Sequence, residues 1–464
     1  METIKKKTIF LKNFSWSVAS EVFLKILSFV FLVVFSRKLG QTVLGVFTYI
    51  FSVVSLVSMF WDLGVGSFYG RKWVTEDQGY EEDVKNIFGS RLVFIGLTLF
   101  FLVPYIFFYE SAQIVEIFLV VAITIVDLFK SVPASYFLSK NRFDQTFVIN
   151  IVDRGIYYGG STLCLLLGLG LRSVLICFLL AKIISGIVGN QKKFSLSWPS
   201  FRFSAIWVSV KNGMPLFLVG VLGSLYFRID SLMIKYFLGF DWLGAYSAAY
   251  RLLDASSVFT GIIGGSIFPV LVSTQVGSKE WLSAILTKNI KYVSVVGIFV
   301  TAVLLTMHDQ VIVFLYGSQF LAARRVLPFL APTIVFLFLN YVLGQQLIAS
   351  HRERYVVKVL VVLSIINILL NWYMIPAYGI IGAALSTLVC EIANSLLLLK
   401  NIDVNIQWGW VVPLALSFLA CLAMLKYFTF YWMLNAAISG LIYVALLTVL
   451  KVVKIEDFKF VHKN

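Results

Sequence analysis

The chain has 464 residues, of which 60% are hydrophobic and 13% charged, and its formal net charge is +15. This composition excludes a water-soluble globular protein, because too few polar side chains are present to cover a surface of this size. It favours neither a nucleic-acid-binding protein nor a metalloprotein, since the basic residues cluster between apolar runs and the four cysteines lack metal-ligand spacing. The sequence contains no Walker-type phosphate loop, so we do not expect ATP hydrolysis.

Apolar runs long enough to cross a bilayer recur along the whole chain. A spanning helix needs roughly 20 apolar residues. Runs of this kind lie at residues 14–36, 43–66, 87–108, 112–134, 146–169, 173–190, 214–237, 244–272, 290–307, 326–349, 356–375, 380–399, 410–426 and 430–450. The sequence therefore predicts an all-α polytopic membrane protein with about 14 transmembrane helices. Basic residues are concentrated in the connections that lie on the same side of the membrane as the two termini, and Lys130 is counted among them. This asymmetry predicts that both termini are cytoplasmic.

Two segments of the chain match at an offset of 199 residues. LGQTVLGVFTY at 39–49 and LGFDWLGAYSA at 238–248 share their LG dipeptides, and each lies between two predicted spans. This match predicts a duplication in which two six-helix lobes enter the membrane in the same direction, a layout typical of transporters. The predicted domains are residues 1–199, residues 200–402, and residues 403–464 with the last two helices and a cytoplasmic tail.

Four segments together resemble a known family. They are KNFSWSVASEVFLKILSFVFLVVFSRKLGQTVLGVF at 12–47, FRIDSLMIKYFLGFDWLGAYSAAYRL at 227–252, LYGSQF at 315–320 and MIPAYGIIGAALSTLVCEI at 374–392. In this order they resemble the polysaccharide flippases of the MOP superfamily, above all the Wzx-type O-antigen flippases. The resemblance implies two lobes around a central cavity, two extra C-terminal helices and a bacterial inner-membrane location. It also implies movement of an undecaprenyl-diphosphate-linked oligosaccharide from the cytoplasmic to the periplasmic leaflet by alternating access.

Basic residues inside the predicted spans are the candidates for contact with such a cargo. A charge in the middle of a bilayer is costly, so it usually faces a water-filled cavity or a charged partner. Arginine and lysine offer phosphates charge-assisted hydrogen bonds. The candidate cavity cations are Lys25, Lys182, Arg228, Lys235 and Arg251. Lys235 lies near the outer end of its span, where an interfacial anchor would also explain it.

Acidic residues in or near the spans are the candidates for pairing with these cations or for coupling to Na⁺ or a proton. They are Glu21, Asp62, Asp127, Asp230, Asp254 and Glu391. Their spacing allows Glu21 to pair with Lys25, and Asp254 with Arg251, along one helix. Arg228 and Asp230 instead point to different sides of their helix.

Two of the acids are the preferred coupling candidates. Asp62 and Asp127 lie deep in their spans, and we interpret both as lacking a local basic neighbour. Asp153, beside Arg154 near the cytoplasmic end of its span, is predicted to be interfacial.

Two other functions remain open at this point. An exporter of drugs or small organic ions in the same superfamily should have an acidic or apolar cavity, which the deep cations argue against. A membrane polymerase or glycosyltransferase of the same pathway should have a large outer loop with catalytic residues, whereas the outer connections are short. We therefore expect a transporter and not an enzyme, with no cofactor or bound metal. Its expected partners are the lipid-linked oligosaccharide, the bilayer and other polysaccharide-assembly membrane proteins, and we expect a monomer that binds no nucleic acid.

Overall fold

The structure is a computed structural model. It describes the backbone at residues 2–76, 79–140, 142–189, 198–274, 279–427 and 431–453. Side chains are described in the same ranges except at residues 2–22, 109, 111, 143, 219, 258 and 261–274. Regular structure in the described residues is helical throughout, which confirms the predicted all-α fold.

The chain divides into two compact units, residues 1–235 and 236–464. Helices of the first unit are α1 (Glu2–Asp62), α2 (Val65–Thr75), α3 (Tyr80–Tyr109), α4 (Ile114–Ser139), α5 (Phe143–Arg154), α6 (Ser161–Leu166), α7 (Leu171–Gly189) and α8 (Phe203–Leu238), which continues three residues past the boundary. Between α5 and α6 the chain forms a π-helix, Gly155–Gly160.

The second unit is also a helical bundle. Its helices are α9 (Phe240–Thr274), α10 (Lys279–Thr306), α11 (His308–Tyr316), α12 (Ala323–Leu330), α13 (Thr333–Ala349), α14 (Glu353–Tyr378), α15 (Ile380–Leu399), α16 (Val411–Tyr427) and α17 (Trp432–Val449). Helices α16 and α17 are joined where the amide of Asn435 donates to the carbonyl of Leu425 (3.0 Å). Tyr443 of α17 donates to the carbonyl of Val295 in α10 (3.0 Å), so the last two helices pack on this unit.

Seven helices of the described residues are long and apolar enough to cross a membrane, or up to nine if two bent pairs each form one span. One of the seven, Phe23–Asp62, has 40 residues, about twice the length that a crossing needs. The polytopic membrane architecture is confirmed, while the count of fourteen spans stays a prediction.

The matching LG motifs form matching turns. Gly40, where α1 is interrupted, has φ 84°, and Gly239, between α8 and α9, has φ 87°. Glycine adopts a positive φ without the steric cost that a side chain would add. Leu44 and Leu243, which follow these glycines at the same spacing, are both fully buried. Both copies of the sequence repeat therefore contain the same turn, formed at a glycine with a positive φ.

The start of α8 packs on α2. Ile206 and Val210 belong to the hydrophobic cluster that contains Trp73 of α2. Tyr69 and Ser209 share a hydrogen bond between their hydroxyls (2.9 Å). These contacts explain why α8 joins the first unit, although in the sequence repeat it opens the second copy. The predicted domain boundaries at 199 and 402 stay a prediction.

Candidate functional site

Four charged side chains of the first unit form a closed set of ion pairs, which we call the four-charge ring. It consists of Asp127 and Lys130 on α4, Asp153 on α5 and Lys182 on α7. Lys130 Nζ lies 3.2 Å from Asp127 Oδ1 and 2.8 Å from Asp153 Oδ2. Lys182 Nζ lies 2.9 Å from each of the same two oxygens. The two ammonium groups thus share two carboxylate oxygens, and the formal charges of the ring cancel.

Burial is uneven around the ring. The side chains of Asp153, Lys130 and Lys182 are 5%, 8% and 15% exposed, whereas that of Asp127 is 49% exposed. Ser185 of α7 also donates a hydrogen bond to Asp153 Oδ1 (3.3 Å). Charged groups at membrane depth face the protein interior or a water-filled space and not lipid. We therefore interpret the open side of the ring, at Asp127, as facing water.

The π-helix follows the ring directly in the chain. Asp153 precedes Gly155–Gly160 by two residues, and the ring of Tyr157 inside this π-helix stacks on Phe178 of α7 with 15° between the planes. The ammonium group of Lys182 lies over the face of Tyr157, 5.7 Å from its centroid. A π-helix is rare and is often found at functional sites. Here it brings an aromatic face against one cation of the ring.

Sequence reasoning found half of this ring. Lys182 and Asp127 were predicted as functional, but the expectation that Asp127 lacks a local basic neighbour is wrong, because Lys130 lies three residues further on the same helix. Asp153 is buried between two lysines, and its predicted interfacial position stays a prediction. The i, i+3 spacing of Asp127 and Lys130 was a signal for the first pair. No spacing along one helix signals the contacts to Asp153.

Asp62 has a basic partner on another helix. Arg91 of α3 donates from Nε to Asp62 Oδ1 (2.7 Å) and from a terminal nitrogen to the carbonyl of Leu128 (2.6 Å). The amide of Gly66, in the first turn of α2, donates to the Asp62 carboxylate (3.1 Å). Because Arg91 is only 3% exposed, this carboxylate neutralises a buried guanidinium and joins α1, α3 and α4. The coupling role predicted for Asp62 therefore competes with a structural one.

Lys235 is paired at the end of α8. Its Nζ lies 2.5 Å from Glu110 Oε1, and Tyr49 donates a hydrogen bond to the same oxygen (2.9 Å). The ammonium group also lies 4.6 Å from the centroid of the Tyr49 ring. Glu110 is 7% exposed, and the sequence reasoning did not single it out. Lys235 is thus held by a buried carboxylate and an aromatic face in the first unit.

Arg251 is the contrasting case in the second unit. It is half-buried on α9, and neither a hydrogen bond nor an ion pair joins its side chain to any described residue, so the predicted pair with Asp254 is not formed. Tyr316 of the LYGSQF segment, outside the predicted spans, is fully buried near these two residues. Burial raises the pKa of the Tyr316 hydroxyl, while the charge of Arg251 acts to lower it and that of Asp254 to raise it.

Glu391 lies in a polar cluster of the same unit. It is 2% exposed on α15, and Asn340 of α13 donates from Nδ2 to Glu391 Oε2 (2.7 Å) and to the Glu391 carbonyl (3.0 Å). Ser395 donates to the other amide atom, Oδ1, of Asn340 (2.6 Å). These hydrogen bonds join α13 and α15 at a buried carboxyl group.

The other predicted residues lie on three helices. Lys25 on α1 and Arg228 on α8 are half-buried, Asp230 on α8 is 4% exposed, and Asp254 on α9 is exposed. Glu21 lies among the residues whose side chains the structure does not describe. No group of three or more potential metal ligands occurs in the described residues.

Comparison with protein families identifies the chain. The family model of "polysaccharide biosynthesis protein" matches residues 10–275, more than half of the chain. The chain belongs to the polysaccharide biosynthesis protein family. A second family model, MatE, matches residues 215–373 of this family member.

Two relatives and one solved structure are similar to this chain. The probable low-salt glycan biosynthesis flippase Agl15 of Haloferax volcanii is 23% identical over 83% of each chain. A putative O-antigen transporter of Shigella dysenteriae is 24% identical over 44% of this chain and 50% of its own length. The solved structure of the lipid II flippase MurJ, in an inward closed conformation, has a TM-score of 0.75 at 17% identity, covering 94% of this chain and 98% of its own. The predicted resemblance and the polytopic fold are both confirmed.

Proposed function

We propose that this polysaccharide biosynthesis protein is a flippase that moves a lipid-linked oligosaccharide across the membrane. Family membership, the names of its relatives and the polytopic helical fold support a transporter and not an enzyme. The proposed cargo is an undecaprenyl-diphosphate-linked repeat unit, which passes from the cytoplasmic to the periplasmic leaflet by alternating access. The proposed location is the bacterial inner membrane with both termini in the cytoplasm, and the proposed state is a monomer without a cofactor.

The observation that carries this proposal is Arg251. A half-buried guanidinium in a predicted span, without a hydrogen bond or ion pair to any described residue, is costly unless an anion binds it. A diphosphate accepts the forked, charge-assisted hydrogen bonds that an arginine donates. Lys182 and Lys235 already bind carboxylates, so we assign Arg251 as the first cation to meet the cargo. Lys25 and Arg228 stay proposed contacts.

Cations in a water-filled path would lower the barrier to flipping. Phosphates and sugars are strongly hydrated, so unaided transfer of this head group through hydrocarbon is prohibitive. An arginine in the path replaces part of the phosphate hydration, while the lipid chains stay in the membrane. A single guanidinium also binds weakly enough to release the cargo on the far side.

The second unit offers a proposed site for ion coupling. Glu391 is 2% exposed, and its carboxylate accepts a hydrogen bond from the side-chain amide of Asn340. We propose that Glu391 binds the coupling proton or Na⁺. In proteoliposomes, an imposed proton or Na⁺ gradient should accelerate flipping by the wild type but not by Glu391→Gln. Equal acceleration of both proteins would contradict this role.

The function is tested with Arg251→Ala in proteoliposomes that contain undecaprenyl-diphosphate-linked oligosaccharide. The rate at which the sugar becomes accessible to an impermeant lectin should fall about tenfold or more, as expected for the loss of a charged hydrogen bond. Arg251→Lys should retain part of the rate, because it keeps the charge but loses the fork.

The matched control is Arg325→Ala, which removes the same charge from an exposed position of the second unit. It should flip at the wild-type rate. Flipping by Arg251→Ala at the wild-type rate would refute the assignment of Arg251. Wild-type protein that leaves the lipid in place but exports an organic cation such as ethidium would instead establish the drug-exporter alternative.

A further inference from the structure

We propose that the four-charge ring is a diphosphate-binding site of the first unit, in which Asp127 occupies the two lysines until the anion displaces it. The choice of ligand rests on the proposed flippase function. The site is separate from Arg251, which belongs to the second unit. Its ligand groups are the ammonium nitrogens of Lys130 and Lys182, and its internal competitor is the Asp127 carboxylate.

The geometry of the lysines suits an anion that bridges them. Both Nζ atoms lie within 3.2 Å of a single oxygen, Asp127 Oδ1. One phosphate oxygen in the place of that atom would contact both ammonium groups. The further oxygens of a diphosphate would extend toward the open side of the ring, where the Asp127 side chain is half exposed.

Exposure decides which acid leaves. Asp153 is 5% exposed, contacts both lysines through Oδ2 and accepts a hydrogen bond from Ser185 through Oδ1. Asp127 is 49% exposed, and its carboxylate contacts the two lysines through Oδ1. Rotation of the Asp127 side chain toward water removes it from the lysines without opening the helix bundle, whereas Asp153 cannot leave without that disruption.

Each ammonium group keeps an anionic partner at each stage of the exchange. Without cargo, two carboxylates balance two ammonium groups, which offsets the cost of burying the lysines. With cargo, the diphosphate replaces Asp127, and Asp153 still binds both lysines. Because Asp127 remains tethered nearby, it competes with the phosphates and keeps their binding weak. A transporter needs this property in order to release its cargo.

The π-helix holds the lysine that lies furthest from Asp127 in the chain. Tyr157 is fixed by stacking on Phe178, and its face supports the ammonium group of Lys182 at 5.7 Å. This cation–π contact remains when Asp127 leaves. Lys182 is therefore positioned by Asp153 and Tyr157 together, and its position does not depend on the acid that the anion displaces.

The test measures binding of inorganic pyrophosphate and of undecaprenyl diphosphate to the full-length protein in nanodiscs by calorimetry. Asp127→Asn removes the competitor while keeping its shape, and it should bind both ligands about tenfold more tightly than the wild type. Lys130→Met and Lys182→Met should each weaken binding about tenfold or more, since a charged hydrogen bond is lost. Misfolding cannot produce the gain expected for Asp127→Asn.

The matched controls lie in the Arg172–Glu116 pair of the same unit, in which Arg172 is exposed and Glu116 is mostly buried. Glu116→Gln changes the net charge by the same amount as Asp127→Asn, and Arg172→Ala by the same amount as each lysine substitution. Both controls should leave the affinities for pyrophosphate and for undecaprenyl diphosphate unchanged. A change in affinity for both ligands supports a site for diphosphate from either source, and a change for the lipid alone supports a site for the lipid-borne form. Asp127→Asn that binds no more tightly than Glu116→Gln overturns the proposal and leaves the ring a structural ion-pair cluster.

These outcomes are distinct from failure of the proposed function. In one case the wild type flips cargo, Arg251→Ala does not, and Asp127→Asn leaves the affinity for diphosphate unchanged. This result would support the flippase function and refute the diphosphate site at the four-charge ring. If the wild type flips no cargo at all, the function falls, whereas the pyrophosphate titration still decides whether the ring binds diphosphate.

Discussion

Carboxylates distant in the sequence hold several basic side chains of this protein in place. Glu110 holds Lys235, Asp62 holds Arg91, and Asp153 holds Lys182. Each of these acids lies outside the helix of its partner, at sequence separations of 125, 29 and 29 residues. Arg251 has no such acid within the described residues. The availability of a cation thus depends on a distant acid.

Removal of one partner from a buried pair should destabilise the protein. Arg91→Met leaves the Asp62 carboxylate without its guanidinium, and we expect a loss of about 3–5 kcal/mol in the free energy of unfolding. Asp62→Asn combined with Arg91→Met should recover part of that loss, because no unpaired charge then remains. Thermal unfolding of the purified proteins in detergent measures the double-mutant cycle. Additive losses from the two changes would show that the pair is not energetically coupled.

At the scale of elements, two glycines allow the turn after α1 to contact α8. A Cβ on Gly213 would lie 2.7 Å from the carbonyl carbon of Gly64, and one on Gly64 would lie 2.2 Å from the Gly213 carbonyl oxygen. Gly64 also has φ 77°, which disfavours any other residue. The backbone contact between these elements therefore requires glycine on both sides.

A methyl group at this contact should force the two elements apart. Gly213→Ala is expected to cost about 1–3 kcal/mol by overpacking and to lower the midpoint of thermal unfolding. The control is Gly223→Ala, in the same helix, where a Cβ would meet no atom within 4 Å. This control should be neutral or slightly stabilising, because alanine favours helix over glycine by up to about 1 kcal/mol. Equal midpoints for the two variants would contradict the close contact.

Helix-forming runs and the repeated turns could be predicted from the sequence, whereas contacts between helices could not. Apolar run length predicts a helix, and the LG motifs predicted the turns at Gly40 and Gly239 because a positive φ favours glycine. Spacing along one helix reveals neighbours three or four residues apart. Such spacing gives no information about the ion pair of Asp153 and Lys182, because these residues come into contact only when α5 packs on α7.

For the whole molecule, the distribution of basic residues predicts the sidedness that alternating access requires. Arg354 belongs to a predicted cytoplasmic connection and Arg325 to a predicted outer one, and both side chains are exposed. The same asymmetry predicts cytoplasmic termini. The direction of cargo movement proposed above depends on this orientation.

Cysteine labelling tests the orientation in intact cells. In a variant whose four cysteines are replaced by serine, Arg325→Cys should react with an impermeant maleimide added outside, because its predicted connection is periplasmic. Arg354→Cys should react only after the membrane is permeabilised. The opposite pattern would invert the topology. Labelling of both positions in sealed cells would show that they lie on the same side of the membrane. The segment between them, α13 and part of α12, would then not be a single span.

The π-helix at Gly155–Gly160 also limits how this region can change in length. A π-helix contains more residues per turn than an α-helix, so it accommodates an added residue within an otherwise α-helical segment. A further residue inserted between Asp153 and Tyr157 would instead turn the helix beyond it by about 100°. Asp153 would stay in place while Tyr157 lost its stacking on Phe178. The contact between Tyr157 and Phe178 therefore constrains the length of this segment.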